Sequence, residues 1–372
     1  MIEPSPTNIL AGLRIAVVNP YLEGREKDCE KNLYPRSHLW GADALSKAGA
    51  RVVYIRPDSS SVCYKLLSML SRLAKGRLGN LEFDWLIVTS FWRYDLIYIC
   101  YGSFLATQLL RALGVIRCPV VAWVYRPPRA IPFWKLRDLQ TRFPFRYGLD
   151  GLLCLTKRAE QGWKVKWPRK RISFLAWGAD TIMFAGSDSP GEFFFACGRT
   201  YRDYATLLAA AAQVPVPLKI IASRSLLGSQ PLPPNVHLVQ GPNNPSNDRG
   251  ILYADIIGEY YAKAKAVLIC LQPIEDDTSG LTNLLEALAM GRPVAITRTG
   301  SLDIDVEKEG VGRLVAPGDV KGWVDLLRHW QNDPQELAVM SSRALDLANK
   351  YYNHERHGRD VVRFLAGFLA KT

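Results

Sequence analysis

The sequence predicts an α/β protein made of two Rossmann-like, doubly wound domains that face a cleft. Its 372 residues are enough for two domains of ordinary size. Short apolar, β-rich runs alternate with amphipathic helical patterns, which is typical of parallel strands joined by helices. After residue 172 a loop rich in Gly, Ser, Asp and Pro interrupts the alternation, which then begins again. Because ligands bind at the carboxyl ends of such strands, two facing sheets define a binding cleft.

Residues 1–176 are predicted to form the first domain. Candidate strands at 13–20 and 51–57 flank an amphipathic helix at 38–49, which Gly49 closes. Four further β-rich runs follow, separated by helical segments: DWLIVTS, DLIYICYG, PVVAWVYR and DGLLCLT. Five or six repeats of this kind make one doubly wound sheet.

Residues 177–350 are predicted to form a second domain of the same kind. Its β-rich runs are FFFACGRT, PLKIIAS, NVHLVQG, KAVLICLQP, RPVAIT and GRLVAPG, with helical patterns such as RDYATLLAAAAQ between them. The remaining segment, 351–372, is a long amphipathic helix that no strand follows.

The cysteines and the N-terminal segment indicate a cytoplasmic protein. Seven cysteines are scattered singly and no pair has CxxC spacing, so we expect reduced thiols and neither a disulfide framework nor a zinc site. The first twenty residues lack the pattern of a signal peptide. The longest apolar stretch is interrupted by Arg93 and Asp95, which argues against a membrane-spanning helix.

Positive charge is concentrated in the first half of the chain. Residues 1–180 contain 28 Lys and Arg against 14 Asp and Glu, a net charge of +14, whereas the remainder has a net charge of −2. Residues 65–78 and 157–171 combine basic with apolar or aromatic side chains. Such segments suit an anionic membrane surface. Nucleic acid would use similar charge, and a solvated basic face fits each stretch equally well.

Residues 279–300, SGLTNLLEALAMGRPVAITRTG, indicate a glycine-containing turn, a helix and a strand. A helix N-terminus is a ready anion site, and the turn Ser279, Gly280, Leu281, Thr282 lets a diphosphate approach the backbone. Glu286, when ionised, can accept hydrogen bonds from two vicinal hydroxyls. A capped helix with a partly exposed glutamate fits the pattern about equally well.

The longer segment QPIEDDTSGLTNLLEALAMGRPVAIT resembles the donor-site signature of retaining glycosyltransferases of family 4, which have the GT-B fold. The resemblance implies that Glu286 holds the ribose of a nucleoside-diphosphate sugar. Thr278 stands where the family has a first acidic residue that contacts the transferred sugar. Asp276 or Asp277 could take over that contact if the loop shifts.

Further segments match the family in the same order along the chain. CGRTYRDYATLLAAA matches the place where two basic residues grip the diphosphate, which implies this role for Arg199 and Arg202. Their guanidinium groups would also offset the charge that develops on the leaving nucleotide. WGADTIMF matches the crossover between the domains through Gly178, Asp180 and Phe184. The family pattern also implies that helix 351–372 packs back on the first domain.

The first half of the chain matches the family in architecture alone. In the family, this domain binds the acceptor. Basic and aromatic residues after a loop and after a strand are assigned to acceptor or pyrophosphate contact: Arg36, His38, Tyr125, Arg126 and Arg129. The His-Asp-like pair that many relatives carry at this strand is missing. An ordinary solvated arginine is the alternative interpretation of each arginine alone.

Together these features predict a glycosyltransferase of the hexosyltransferase type (EC 2.4) that uses a nucleoside-diphosphate sugar as donor. The resemblance implies that the configuration is retained. The expected acceptor is a lipid-linked or polysaccharide intermediate at the cytoplasmic membrane face. No cofactor, metal or nucleic acid is expected, although residues 302–309 contain a DxD triplet. Alternatives are a GT-B nucleotide-sugar epimerase and a non-catalytic nucleotide-sugar-binding protein.

Overall fold

The computed structural model describes residues 8–22, 24–74, 78–128, 143–186, 191–229, 231–240 and 253–369. The chain divides into two units that are both discontinuous in sequence. The first unit comprises Met1–Lys27, His38–Ala176 and Glu355–Thr372, and the second comprises Asp28–Ser37 and Trp177–His354.

A six-stranded parallel sheet forms the centre of the first unit, in the order β2-β1-β3-β4-β5-β6. Its strands are β1 Arg14–Val18, β2 Arg51–Tyr54, β3 Leu96–Ile99, β4 Val120–Val124, β5 Gly151–Cys154 and β6 Arg171–Phe174. The helices of this part of the chain are α1 Glu26–Glu30, α2 Ala42–Lys47, α3 Val62–Leu73, α4 Leu81–Val88, α5 Leu105–Ala112, α6 Phe143–Tyr147 and α7 Lys157–Lys166.

The second unit has the same architecture, a six-stranded parallel sheet in the order β12-β11-β10-β7-β8-β9. Its strands are β7 Phe193–Cys197, β8 Leu218–Ala222, β9 Val236–Gln240, β10 Ala264–Ile269, β11 Val294–Thr297 and β12 Gly312–Val315. Its helices are α8 Tyr204–Ala211, α9 Tyr253–Asp255 with a π-helix at Ile256–Tyr261, α10 Leu281–Ala289, α11 Val320–Asn332 and α12 Pro334–Tyr351. Helix α13, His354–Ala366, follows and belongs to the first unit from Glu355 on.

The central strands of both sheets are apolar along their whole length. All residues of β3 (LIYI), β4 (VVAWV) and β7 (FFFAC) are buried. Parallel strands that helices cover on both faces are expected to be continuously hydrophobic, not alternating. The prediction of two doubly wound α/β sheets is therefore confirmed.

One predicted strand is wrong: DWLIVTS lies mostly within helix α4. A short apolar run fits a buried helix as well as a strand, so periodicity could not separate them. The helix buries Asp84, whose carboxylate accepts hydrogen bonds from the N–H groups of Ala106 and Thr107, at 3.0 and 2.9 Å, in the first turn of α5. The run thus carries a side chain that fixes the start of the next helix.

Helix α13 packs on the sheet of the first unit. The imidazole of His357 lies 5.5 Å, centroid to centroid, from the ring of Trp123 on β4. The guanidinium of Arg171 on β6 lies 5.1 Å from the ring of Phe364 and 4.9 Å from that of Phe368. The last described segment of the chain therefore belongs to the core of the first unit.

Asp180, within the WGADTIMF segment, joins three stretches of the second unit. Its Oδ2 accepts a hydrogen bond from the N–H of Arg36 at 2.8 Å, and its Oδ1 accepts from the N–H groups of Ile182 and Met183, both at 3.2 Å. Nδ1 of His354 lies 3.7 Å from Oδ1. Since the carboxylate is buried, these partners replace the water that it would bind in an unfolded chain.

Gly178 lies where the backbones of two segments meet, and a Cβ there would stand 2.2 Å from the carbonyl oxygen of Asn353. We expect Gly178→Ala to lower the free energy of unfolding by about 2–4 kcal/mol, because backbone must shift to admit the methyl group. Urea unfolding followed by circular dichroism measures this loss. Gly258→Ala is the matched control: Gly258 has open space around it, and a change within about 0.5 kcal/mol is expected. Equal effects of the two substitutions would contradict the prediction.

Candidate functional site

The predicted donor residues of the second unit lie at the carboxyl ends of β7 and β10. The chain leaves β7 towards β8 and β9 on one side of the sheet, whereas β10 and the strands after it lie on the other side. The strand order therefore reverses between β7 and β10. Such a switch point is where ligands bind in open α/β sheets.

The turn after β10 leads into helix α10 through Gly280, which has a φ of 90°. A Cβ at this position would stand 2.9 Å from Cγ2 of Ile269 at the end of β10, so glycine lets the turn pack closely on the strand. Ahead of it, the N–H and Oγ of Ser279 donate hydrogen bonds to Oδ1 of Asp277, at 2.8 and 2.5 Å. Thr278 and Thr282, on either side of this turn, are half-buried.

The N-terminus of α10 has no side-chain cap among the described residues. Its first N–H groups and the positive end of the helix dipole therefore favour an anion at the switch point. The alternative of a capped helix with a partly exposed glutamate does not fit, because the cap is absent from the described part and Glu286 is only 5% exposed.

Glu286 faces Tyr261, whose hydroxyl donates a hydrogen bond of 2.8 Å to Oε2. The other oxygen, Oε1, is buried and accepts no hydrogen bond from the residues that the structure describes. Burial raises the pKa of this carboxyl to about 8, against the smaller opposing effect of the Tyr261 hydrogen bond. The group is therefore mostly protonated at neutral pH, and Oε1 has no hydrogen-bond partner among the described residues.

Arg202 connects the end of β7 to the start of α10. Its Nε and Nη1 donate to the carbonyl oxygens of Cys197 and Thr200, both at 3.0 Å, and its Nη2 donates to Oδ1 of Asn283. The side chain is buried, with 9% of its surface exposed. Arg199, three residues earlier, is exposed and has no ion pair in the described ranges. The two arginines predicted to act alike thus have different environments.

Tyr261 and Asn283 belong to the site, although no motif pointed to them. Nδ2 of Asn283 donates to the Tyr261 hydroxyl at 3.2 Å and lies 3.1 Å from Sγ of Cys197. Asn283 and Glu286 are three residues apart on one helix, so their spacing places them on the same face. That spacing was the available signal. Tyr261, at the end of the π-helix, could be found only in three dimensions.

The residues predicted for acceptor or pyrophosphate contact are divided between the units. Arg36 lies in the second unit, where its Nη2 donates to Oδ1 of Asn32 at 3.0 Å. His38, in the first unit, is buried, and burial lowers its pKa to about 4, so the ring is neutral. Arg126 is exposed and its carbonyl oxygen accepts from Nε1 of Trp163 at 2.9 Å. Arg129 lies outside the described residues.

Tyr125, the remaining residue of that set, directly follows β4 in the first unit. Its hydroxyl donates a hydrogen bond of 2.5 Å to the carbonyl oxygen of Cys100. Burial raises the pKa of the phenol well above its usual value. The hydroxyl therefore serves as a donor within the protein.

One group of potential metal ligands occurs among the described residues: His329, Asp333 and Glu336. Arg313 also donates to Glu336, and this cation disfavours a metal ion there. In the DxD triplet, Oδ1 of Asp305 accepts from the N–H groups of Glu307 and Lys308, both at 3.1 Å. The expectation that no metal takes part stays a prediction.

No protein-family model matches the chain. Over 97 residues it is 32% identical to a D-inositol 3-phosphate glycosyltransferase from Saccharomonospora viridis. The match covers 26% of this chain and 21% of that protein, so it spans about a fifth of the relative's length.

Solved structures match over almost the whole chain. Sucrose-phosphate synthase from Thermosynechococcus elongatus has a TM-score of 0.66 at 14% identity, over 97% of this chain and 100% of that one. HepE from Anabaena in complex with UDP-glucose has a TM-score of 0.63 at 16% identity, over 95% and 100%. The predicted GT-B fold and the predicted resemblance to glycosyltransferases are thereby confirmed.

The raised pKa of Glu286 makes stability depend on pH. Because the folded-state pKa of about 8 lies above the usual 4.5, the folded state binds the proton more tightly, and stability falls as pH rises from about 5 to about 9. Glu286→Gln keeps the shape without the ionisation. We expect its Tm advantage over wild type to grow across this range by on the order of 5–10 °C.

Thermal unfolding at a series of pH values measures this difference. Glu309→Gln, at an exposed position, is the control and should show no such growth. A Tm difference between Glu286→Gln and wild type that does not change with pH would contradict the buried, protonated state.

Proposed function

We propose that this protein is a glycosyltransferase that moves a sugar from a nucleoside-diphosphate sugar to an acceptor hydroxyl. The observation that carries the proposal is the buried Glu286, with an unsatisfied Oε1, on a helix whose uncapped N-terminus lies at the switch point of its sheet. Support also comes from the similar proteins, which include a glycosyltransferase and a structure with UDP-glucose bound.

In this proposal the diphosphate binds the N-terminus of α10 and the exposed guanidinium of Arg199. The Gly280 turn lets phosphate oxygens come close to backbone N–H groups. Arg202 adds a fixed positive charge close to the same turn. Its hydrogen bond to Asn283 holds the first turn of α10 in place. These groups stabilise the negative charge that the diphosphate gains as it leaves.

The reaction exchanges one bond for another at the anomeric carbon. The bond from C1 to the diphosphate oxygen breaks, and the oxygen keeps the electron pair. The acceptor hydroxyl oxygen forms the new bond to C1 and gives up its proton, which we assign to the leaving phosphate. Attack from the face that the diphosphate leaves retains the configuration, as the family resemblance implies.

Glu286 is proposed to bind the ribose of the donor through Oε1. A ribose hydroxyl, which can both donate and accept, supplies the hydrogen-bond partner that this buried oxygen lacks. Side chains that enclose Oε1 have to move to admit the ribose. At the sugar end of the donor, Thr278 offers a hydroxyl where the family offers a carboxylate, so sugar selection depends on weaker hydrogen bonds here.

We further propose that the acceptor is lipid-linked and reached at the cytoplasmic membrane face. Helix α3 is the supporting feature, because five of its apolar residues are exposed: Val62, Leu66, Met69, Leu70 and Leu73. Lys65 and Arg72 lie on the same helix, within the half of the chain that carries the positive charge. An apolar stripe flanked by cations suits an anionic lipid surface. No helix in the described ranges is long and apolar enough to span a bilayer.

Nucleotide binding tests the donor site directly. Thermal shifts with UDP, GDP, ADP, CMP and dTDP, with and without EDTA, should show one diphosphate that stabilises the protein without metal. At a hundredfold excess over Kd the expected stabilisation is about 2.7 kcal/mol. Arg199→Ala should weaken that nucleotide about tenfold, because a charge-assisted hydrogen bond is lost.

Arg328→Ala, which removes a surface arginine on α11, is the matched control and should bind nucleotide as wild type does. Glu286→Ala should bind it less well than wild type. The donor assignment fails if no nucleotide stabilises the protein, or if Arg199→Ala and Arg328→Ala behave alike.

Vesicle binding tests the proposed membrane surface. Co-sedimentation with phosphatidylcholine vesicles that contain phosphatidylglycerol should exceed that with phosphatidylcholine alone. Replacing Leu66 and Leu73 together by Ser should reduce binding at least about tenfold, because two leucines no longer leave water on docking. Leu113→Ser, at an exposed leucine after α5, should bind as wild type does. Equal binding to both kinds of vesicle would exclude an anionic surface.

A further inference from the structure

The first unit has its own switch point, and two exposed tyrosines stand beside it. In its sheet the chain passes from β1 to β2 on one side, and β3 lies on the other. Tyr21 comes three residues after β1 and Tyr101 two residues after β3. They are 59% and 48% exposed, and their ring centroids are 5.9 Å apart. Two exposed aromatic rings in contact at a switch point form a surface that a ligand can cover.

A series of ring contacts runs from these tyrosines into the core of the unit. The ring of Tyr101 lies 5.6 Å from that of Tyr125, which lies 5.7 Å from that of Trp40. Trp40 in turn lies 5.1 Å from Trp123 on β4. Since the hydroxyl of Tyr125 is also bonded to the backbone at Cys100, Tyr101 rests on a fixed support. An aromatic surface held in this way loses little entropy when a ligand binds.

Polar groups at the same edge can orient a ligand. Asn19 directly follows β1 and is only 8% exposed. Its Nδ2 donates to the carbonyl oxygen of His38 at 3.2 Å, and its Oδ1 is buried without a hydrogen bond from the described residues. A buried carbonyl oxygen left in this state destabilises the protein unless a ligand or water supplies a donor.

We propose that Tyr21 and Tyr101 form a stacking surface for a carbohydrate ring of the acceptor. One face of a sugar ring presents C–H groups of slight positive charge, which are attracted to the negative face of an aromatic ring. The sugar's hydroxyls remain free to bond with the tyrosine hydroxyls, and with Oδ1 of Asn19 once the side chains that bury it move aside. Such a surface recognises a sugar unit and not a lipid chain. This inference rests on the proposed function and names the chemical class of its acceptor.

Saturation-transfer difference NMR on the full chain tests the surface without any need for turnover. The probes are the methyl glycosides of glucose, galactose, mannose and N-acetylglucosamine, with uridine in the same panel. We expect transfer to the ring C–H protons of at least one glycoside. In the double variant Tyr21→Ala, Tyr101→Ala this transfer should fall about fivefold, and the double variant to Phe should retain it.

Trp92→Ala is the matched control. Trp92 is an exposed aromatic residue just before β3, at the opposite end of the strand from Tyr101, and its loss should leave the transfer unchanged. Thermal shifts with nucleotide, run on every variant, report folding and donor binding separately.

The outcomes separate this inference from the proposed function. Nucleotide binding with no transfer to any glycoside, or with transfer that survives both alanine substitutions, overturns the stacking surface and leaves the donor site standing. Transfer to uridine alone also overturns it. Transfer that depends on the tyrosines, in a protein that binds no nucleotide, supports the surface and contradicts the glycosyltransferase.

Discussion

The contact between Arg202 and Asn283 is the interaction on which the rest of the proposed donor site depends. Arg202 donates one hydrogen bond to the backbone at the end of β7 and another to Asn283. Asn283 in turn donates to the hydroxyl of Tyr261, which donates to Glu286. A buried guanidinium is tolerated only when hydrogen bonds replace its water. Its charge also lies beside the positive end of α10, and two positive charges of this kind repel each other. An anion at the turn would offset both the burial of the guanidinium and its repulsion from the helix N-terminus. These two unfavourable terms are therefore a reason to expect a phosphate ligand.

Sequence reasoning succeeded where burial leaves a simple pattern. The apolar runs of β3, β4 and β7 predicted strands because both faces of these strands are covered. It failed at α4, where an equally apolar run forms a helix. Within the site, the family resemblance pointed to Arg199, Arg202 and Glu286, which follow β7 and β10 in the second unit. The sequence could not show that Arg199 is exposed whereas Arg202 is buried, because an arginine occurs in either environment. The Tyr261 contact joins residues 25 positions apart and leaves no local pattern.

The switch points of the two sheets have contrasting chemistry. In the second unit the edge presents a helix terminus, cationic side chains and a buried carboxyl. In the first unit the corresponding edge presents tyrosine rings and a neutral histidine. The side chains at the two switch points are thus of opposite character, highly charged in the second unit and largely uncharged in the first. Similar folds can carry such different sites because the loops after the strands, and not the strands, supply the contacts.

The interleaving of the two units along the chain has a consequence for how the protein folds as it is synthesised. The first unit is complete only when residues 355–369 are added to its sheet, and the second needs residues 28–37, made early, together with His354. Domains of many proteins fold one after another as the chain leaves the ribosome. Here the first unit cannot finish before α13 emerges, so its sheet stays partly uncovered while the whole second unit is being synthesised.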